Sequence, residues 1–200
     1  MPVLGVTGGI ATGKSSFTSL LLRHLPAELF DADRAAHDLL AHDATIRQAV
    51  VETFGAAICD TGGNPDRAKL RTLVFDDEAK RRQLEHILHP AIRARWVARA
   101  AEIGRTGGWF VVDIPLLFET QAESSFDRIV VVACSPHTQR RRLAQLRGLS
   151  AGLAEKIITS QLDLTTKINH AHHVIWNDST LPCLERQARL LAGWLGHPGG

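Results

Sequence analysis

The segment Gly8-Gly-Ile-Ala-Thr-Gly-Lys-Ser15 constrains the fold of this chain more than any other. It satisfies the spacing G-x-x-x-x-G-K-[ST]. It lies between an apolar stretch, Val3–Val6, and a stretch with helical spacing, Ser15–His24. Gly8 and Gly13 permit backbone dihedrals and a closeness of approach that a Cβ would block. Successive N–H groups of Ala11, Thr12, Gly13, Lys14, Ser15 and Ser16 then form an anion nest at a helix start, where the dipole also favours negative charge. Lys14 is placed to reach the β- and γ-phosphates of a nucleotide, and the Ser15 hydroxyl to ligate Mg²⁺. A glycine-rich turn that only begins a helix would explain neither the lysine nor the strand–loop–helix context.

Further apolar runs that read as buried strands are Trp109–Val112, Ile129–Cys134 and His173–Trp176, with a weaker one at Leu29–Phe30. Helical spacing appears at Asp33–Ala41, Ala44–Phe54, Asp76–Leu88, Pro90–Ile103, Pro136–Leu146, Ala151–Gln161 and Leu181–Leu195. Strands separated by helices imply a parallel sheet with right-handed crossovers. The long stretch from Phe30 to Trp109 carries no convincing strand and reads as a helical insertion. Pro136–Thr165 reads as a second, smaller helical excursion.

Composition narrows the class. A chain of 200 residues is one domain, or one domain with insertions, and 44% hydrophobic with 22% charged residues excludes disorder. No apolar run is long enough for a membrane span, and no basic segment precedes an apolar core at the amino terminus. Cys59, Cys134 and Cys183 are odd in number and far apart, which excludes a disulfide framework and fits a reducing compartment. A net charge of +2 is too mild for a nucleic-acid face. Of the 23 basic residues 18 are arginine, whose planar fork favours anionic ligands. The expectation is a cytoplasmic enzyme acting on a phosphorylated small molecule, a monomer or small homo-oligomer, with no nucleic-acid or membrane partner.

A phosphate loop needs a carboxylate near the metal. Trp109-Phe-Val-Val-Asp113 is a buried strand ending in aspartate, at the strand end that faces the ligand crevice in such sheets. The bland alternative is that Asp113 caps the turn at Ile114-Pro115. In Phe30-Asp-Ala-Asp33 the carboxylates Asp31 and Asp33 alternate, and in an extended chain both would point to one side as general base and metal ligand. Equally, they would serve as the N-cap of the following helix. The run Gln139-Arg140-Arg141-Arg142 reads as a clamp on a triphosphate or as a solvated helix face. His86, His89, His170, His172 and His173 have spacings that metals use, but no cysteine or carboxylate set completes a closed site. Asp60-Thr-Gly-Gly63 contains the D-x-x-G of nucleotide switches, yet no N-K-x-D segment accompanies it. Asn177, after the last strand, is a candidate reader of the adenine.

Taken in order, these segments resemble the dephospho-coenzyme A kinases, almost end to end. Gly5–Ser15 resembles the family's opening, and Phe30–Asp33 its I-D-A-D element. Asp66-Arg67 with Leu70 and Val74-Phe75 is similar to its D-R-x-x-L-x-x-x-V-F stretch. Leu84-Glu85 with His89-Pro90 is similar to its L-E-x-x-x-H-P signature. Asp113-Ile-Pro-Leu-Leu117 with Glu119, Gln139 with Arg142-Leu143, and Ser160-Gln161 complete the likeness. The resemblance implies a P-loop α/β core (1–30, 105–135 and 166–200), a helical dephospho-CoA-binding domain (31–104) and a helical lid (136–165). It implies ATP as donor, Mg²⁺ as cofactor and the ribose 3′-hydroxyl of dephospho-CoA as acceptor. It makes Asp33 the preferred general base, Asp113 a metal-side carboxylate and Arg142 a lid arginine on the phosphates, with His89, Asp113, Leu116 and Glu119 shaping the acceptor site.

Some positions depart from the family pattern. Leu146 stands where lids carry an arginine, and Arg147 is displaced by one, a turn of about 100° on a helix. Lys156 replaces an arginine, and Ala171-His-His-Val-Ile175 replaces an acidic A-D-x-V-I. Another small-molecule or nucleotide kinase on the same core is the alternative.

Overall fold

Apolar runs become strands here because both faces of the sheet are covered. The computed structural model describes residues 2–75, 77–103 and 108–196. Outside the described residues lie Asp76, which begins one expected helix, residues 104–107, which hold the expected boundary at 104–105, and the side chains of Phe75 and Arg147. In chain order the elements begin with β1 (Val3–Gly8), α1 (Lys14–Leu21), β2 (Ala27–Asp31), α2 (Ala32–His42), α3 (Ala44–Phe54), α4 (Arg67–Phe75) and α5 (Glu78–Ile103). There follow β3 (Trp109–Asp113), β4 (Arg128–Ala133), α6 (Pro136–Arg147), α7 (Ala151–Thr159), α8 (Leu164–Asn169), β5 (His173–Trp176) and α9 (Leu181–Leu195). The chain divides into two compact units, Met1–Phe30 with Ile103–Gly200, and Asp31–Glu102.

In the first unit the sheet order is β2-β3-β1-β4-β5. Parallel registers set Val6 beside Asp113 and Val130, and Val131 beside Val174. The inner strands β1, β3 and β4 are buried along nearly their whole length, which is why they read as unbroken apolar runs. At the edge, β5 alternates: Ile175 is buried, while Val174 and Trp176 face outward. Leu184, Ala188, Leu191, Ala192 and Leu195 give α9 a helical stripe, which packs with Phe17, Leu20 and Leu21 of α1 over Leu4, Val6, Val111 and Val130. The indole of Trp109 donates to the Leu195 carbonyl at 3.1 Å, closing that face.

The second unit is helical. Asp31 ends β2 and N-caps α2, accepting from the Arg34 N–H at 3.0 Å, and Asp43 caps α3 in the same way. Asp66 opens α4, which the periodicity did not predict, by accepting from Ala68 and Lys69 N–H groups. The two helices expected on either side of Pro90 are one, α5, with Pro90 inside it. An interior proline costs about 3 kcal/mol. Leu88, Ile92 and Trp96 continue a single buried stripe across it, and each contributes on the order of 2 kcal/mol, so packing outweighs the break. Asp60–Gly63 is a tight turn in which Asp60 Oδ1 accepts from the N–H groups of Gly62 and Asn64, both at 2.9 Å. No helix among the described residues is long and apolar enough to cross a membrane.

Candidate active site

The phosphate loop follows β1 and turns into α1 through Gly13, whose φ of +94° few other residues adopt. A Cβ at Gly8 would strike the Val132 carbonyl of the adjacent strand. No side chain caps α1, so its opening amides belong to the loop. Ser15 and Ser16 lie exposed in the first turn of that helix.

Asp113 sits at the end of β3, beside β1 in register, and is 7% exposed. Its Oδ1 pairs with the Lys14 ammonium, and its Oδ2 accepts from the Thr18 hydroxyl at 3.0 Å. The first unit therefore brings the loop lysine and the strand-end carboxylate together; Asp113 does not spend itself on capping Ile114-Pro115. The following turn is fixed by Ile114 N–H on the Val6 carbonyl at 3.0 Å, and by the Thr7 hydroxyl on the Pro115 carbonyl at 3.0 Å.

Side chains from α6, α8 and the residue after β5 grip carbonyls of the loop, and Gln161, just beyond α7, takes one of its amides. Gln139 donates to the Ile10 carbonyl at 2.7 Å, while Gln161 accepts from the Ile10 N–H at 2.8 Å. Arg142 donates to the carbonyls of Ala11, Thr12 and Asn177, at 3.3, 3.1 and 2.8 Å. The guanidinium expected on the phosphates is here engaged with the main chain of the loop. The Asn177 side-chain amide donates to the Thr12 carbonyl at 2.8 Å. Arg140, by contrast, pairs with Glu155 on an exposed face, the solvated alternative for that run. Glu119 pairs with the buried Lys167 at 2.7 Å and accepts from the Leu162 N–H at 3.0 Å; Leu116 is half-buried.

Lys167 went unnoticed in the sequence, because one lysine in Leu164–Asn169 carries no pattern. The shift from acidic to histidine at 172 has a local answer: His172 Nδ1 accepts from the Ile129 N–H at 3.0 Å.

In the second unit, Asp33 lies in the first turn of α2, not in an extended chain. The expected alternation with Asp31 on one side of a strand therefore fails: Asp31 closes the strand and caps the helix, and Asp33 is already helical. His89 lies within α5, and burial, with the charge of His86 second, holds its imidazole below the ordinary value of 6.5. Among the described residues no group of three or more His, Cys, Asp or Glu side chains is gathered to hold a metal.

With this geometry in view, similarity to known proteins is informative. The family model for dephospho-CoA kinase matches residues 2–182. A dephospho-CoA kinase of Bacillus thuringiensis is 40% identical over 194 residues, spanning 96% of both chains. One of Thermosynechococcus vestitus is 39% identical over 196 residues, spanning 98% of this chain and 96% of its own. Among solved structures, TT1252 from Thermus thermophilus superposes with a TM-score of 0.77 at 26% identity, over 98% of each chain. The dephospho-CoA kinase from Campylobacter jejuni superposes at 0.65 over 97% of each chain, and at 22% identity shows the shared fold. A match this long, on a chain whose phosphate loop and strand-end aspartate are assembled as described, places the protein in the dephospho-CoA kinase family.

Proposed function

We propose a division of labour among these residues for the reaction of the family. As a member, the chain transfers a phosphoryl group from ATP to dephospho-CoA in coenzyme A biosynthesis. The observation that carries the reading is the Lys14–Asp113 pair at the carboxyl ends of adjacent strands, beneath a loop that opens α1.

In this scheme the loop amides from Ala11 to Ser16 and the Lys14 ammonium hold the β- and γ-phosphates. Gly8 and Gly13 keep the loop close to them. The ribose 3′-hydroxyl attacks the γ-phosphorus in line as its proton passes to Asp33, and the β–γ bridging oxygen leaves with ADP. Residues 31–104 bind dephospho-CoA, with His89, Asp113, Leu116 and Glu119 shaping the acceptor site. Residues 136–165 act as a lid that excludes water, since water would otherwise take the phosphoryl group. Arg142 adds positive charge from behind the loop, and Asn177 serves the nucleotide by bracing Thr12.

Mg²⁺ takes few protein oxygens and completes its shell with phosphate and water. The Ser15 hydroxyl and the Asp113 carboxylate, which already holds a cation in Lys14, suit it. The ion would neutralise charge between the β- and γ-oxygens. We place the reaction in the cytoplasm, where the unbonded thiols of Cys59, Cys134 and Cys183 would persist.

The test is an acceptor panel with ATP. Dephospho-CoA should be preferred strongly over AMP, shikimate and nucleosides, and preference for AMP would overturn the reading. Asp33→Asn should lower turnover by about 10²–10⁴-fold with ATP binding kept. Lost ATP affinity instead would make Asp33 a metal ligand.

A further inference from the structure

Lys167 is the one lysine of the described residues with a side chain wholly withdrawn from solvent, at 0% exposure. It projects from α8, a helix of six residues begun by Asp163. An ammonium has three protons. Three oxygens surround this one: Glu119 Oε1 at 2.7 Å, the Pro115 carbonyl at 3.3 Å and the Gly8 carbonyl at 3.5 Å. Gly8 ends β1 and opens the phosphate loop. Pro115 follows two residues after Asp113. Glu119 Oε1 also accepts from the N–H of Leu162, in the chain that leaves α7.

Burying a lysine against a carboxylate that stays 21% exposed is a poor way to gain stability, since an apolar side chain of similar volume fills the space without desolvating a charge. All three acceptors lie at the carboxyl edge of the sheet: Gly8 ends β1, and Pro115 and Glu119 lie in the segment that follows β3. What the ammonium supplies is a fixed distance between the phosphate loop and the 115–119 segment. We propose that Lys167 is a positioning residue for phosphoryl transfer, holding donor-side Gly8 and acceptor-side Pro115 and Glu119 in register. The proposal rests on the reading of Leu116 and Glu119 as acceptor-side residues. Three acceptors match the three protons of an ammonium, and the planar fork of arginine presents its donors differently.

The test compares Lys167→Met with the double variant Lys167→Met/Glu119→Gln. The single variant leaves the Glu119 carboxylate without its cation and should unfold at a lower temperature. The double variant removes that orphaned charge and should recover most of the thermal midpoint. If Lys167 positions the loops, the double variant keeps a kcat about tenfold or more below that of Glu119→Gln alone, with a KM for dephospho-CoA raised above that variant's. Its ATP affinity, measured by direct titration, should change by less than about threefold, because Gln139, Gln161, Arg142 and Asn177 still hold the loop. Lys167→Arg should not rescue kcat.

A double variant with the kcat and both KM values of Glu119→Gln overturns the proposal, and so does one that stays unfolded, since the ammonium would then be a requirement of the fold. Lost ATP binding with an unchanged KM for dephospho-CoA overturns the acceptor-side part. Failure of the acceptor reading itself would appear separately, as a different preferred acceptor for the unaltered protein.

Discussion

Replacing Asn177 by alanine separates a residue that reads the base from one that braces the loop. Its side-chain amide donates to the Thr12 carbonyl at 2.8 Å, and the residue is 7% exposed. The same carbonyl also receives Arg142 at 3.1 Å, so the substitution does not orphan it. The loss is then one net hydrogen bond, about 1 kcal/mol, with a small unfilled volume beside Gly13. Total destabilisation should come to about 1–2 kcal/mol. Thr12 lies inside the phosphate nest, so loosening it should weaken the grip on any nucleoside triphosphate. One kcal/mol is about fivefold in affinity. The affinities for ATP and GTP should fall by the same factor, because the polyphosphate is common to both. Titration with non-hydrolysable analogues of each, beside urea unfolding, measures all three quantities. The reasoning is refuted by an ATP-to-GTP preference that collapses about tenfold while stability holds, for that is the signature of a base reader.

Lys14→Ala should abolish turnover and also lower stability by about 2–3 kcal/mol, because it strips the cation from a carboxylate only 7% exposed. Adding Asp113→Asn should restore the thermal midpoint without restoring transfer. For His89 the folded-state pKa lies below the unfolded one, so the unfolded chain binds more protons as pH falls below about 6.5. Stability should therefore be full above that pH and decline beneath it, with a shallower slope in His89→Gln, read by urea melts from pH 8 to 5; an identical slope would contradict the assignment. Pro90→Ala restores a helix N–H to α5 and should raise the urea midpoint by an equivalent of about 1–2 kcal/mol, after allowing for the greater freedom of the unfolded chain.

What could be read from the sequence was what neighbours along the chain decide. The phosphate loop, the buried strands β3 and β4 and the amphipathic stripe of α9 are each set by spacing within a dozen residues. Pro90 misled because a local rule met a longer-range one, the stripe Leu88–Ile92–Trp96 that packs straight through it. Asp31 and Asp33 looked equivalent until the cap geometry assigned Asp31 to the helix end and placed Asp33 in its first turn. The contacts that shape the loop were beyond pattern: Gln139, Gln161 and Lys167 reach it across 129, 151 and 159 positions. Family likeness singled out the two glutamines without saying what they touch, and passed over the lysine.

Of those distant contacts Gln161 takes a hydrogen, the Ile10 N–H, and the others take oxygens. Oxygens along the loop are taken in turn: Gly8 by Lys167, Gly9 by the Thr12 hydroxyl at 2.9 Å, Ile10 by Gln139, Ala11 by Arg142, Thr12 by Arg142 and Asn177. In a trans peptide the C=O and N–H point to opposite sides, so holding the Ile10 and Thr12 oxygens turns the Ala11 and Gly13 N–H groups to the other face, while the Thr12 N–H bends back to the Gly9 carbonyl at 3.4 Å. Ala11, a non-glycine residue at φ +58°, sits in the left-handed region that an L side chain enters only at a cost of about 1–2 kcal/mol. Such a conformation persists when its surroundings over-determine it. The side chains behind the loop are that surrounding, and α6, α8 and the residue Gln161 between α7 and α8 supply most of them. It follows that the segment from α6 to α8 and the nucleotide site form one structural device. A change in how those helices pack alters the phosphate nest without touching any residue of the motif itself.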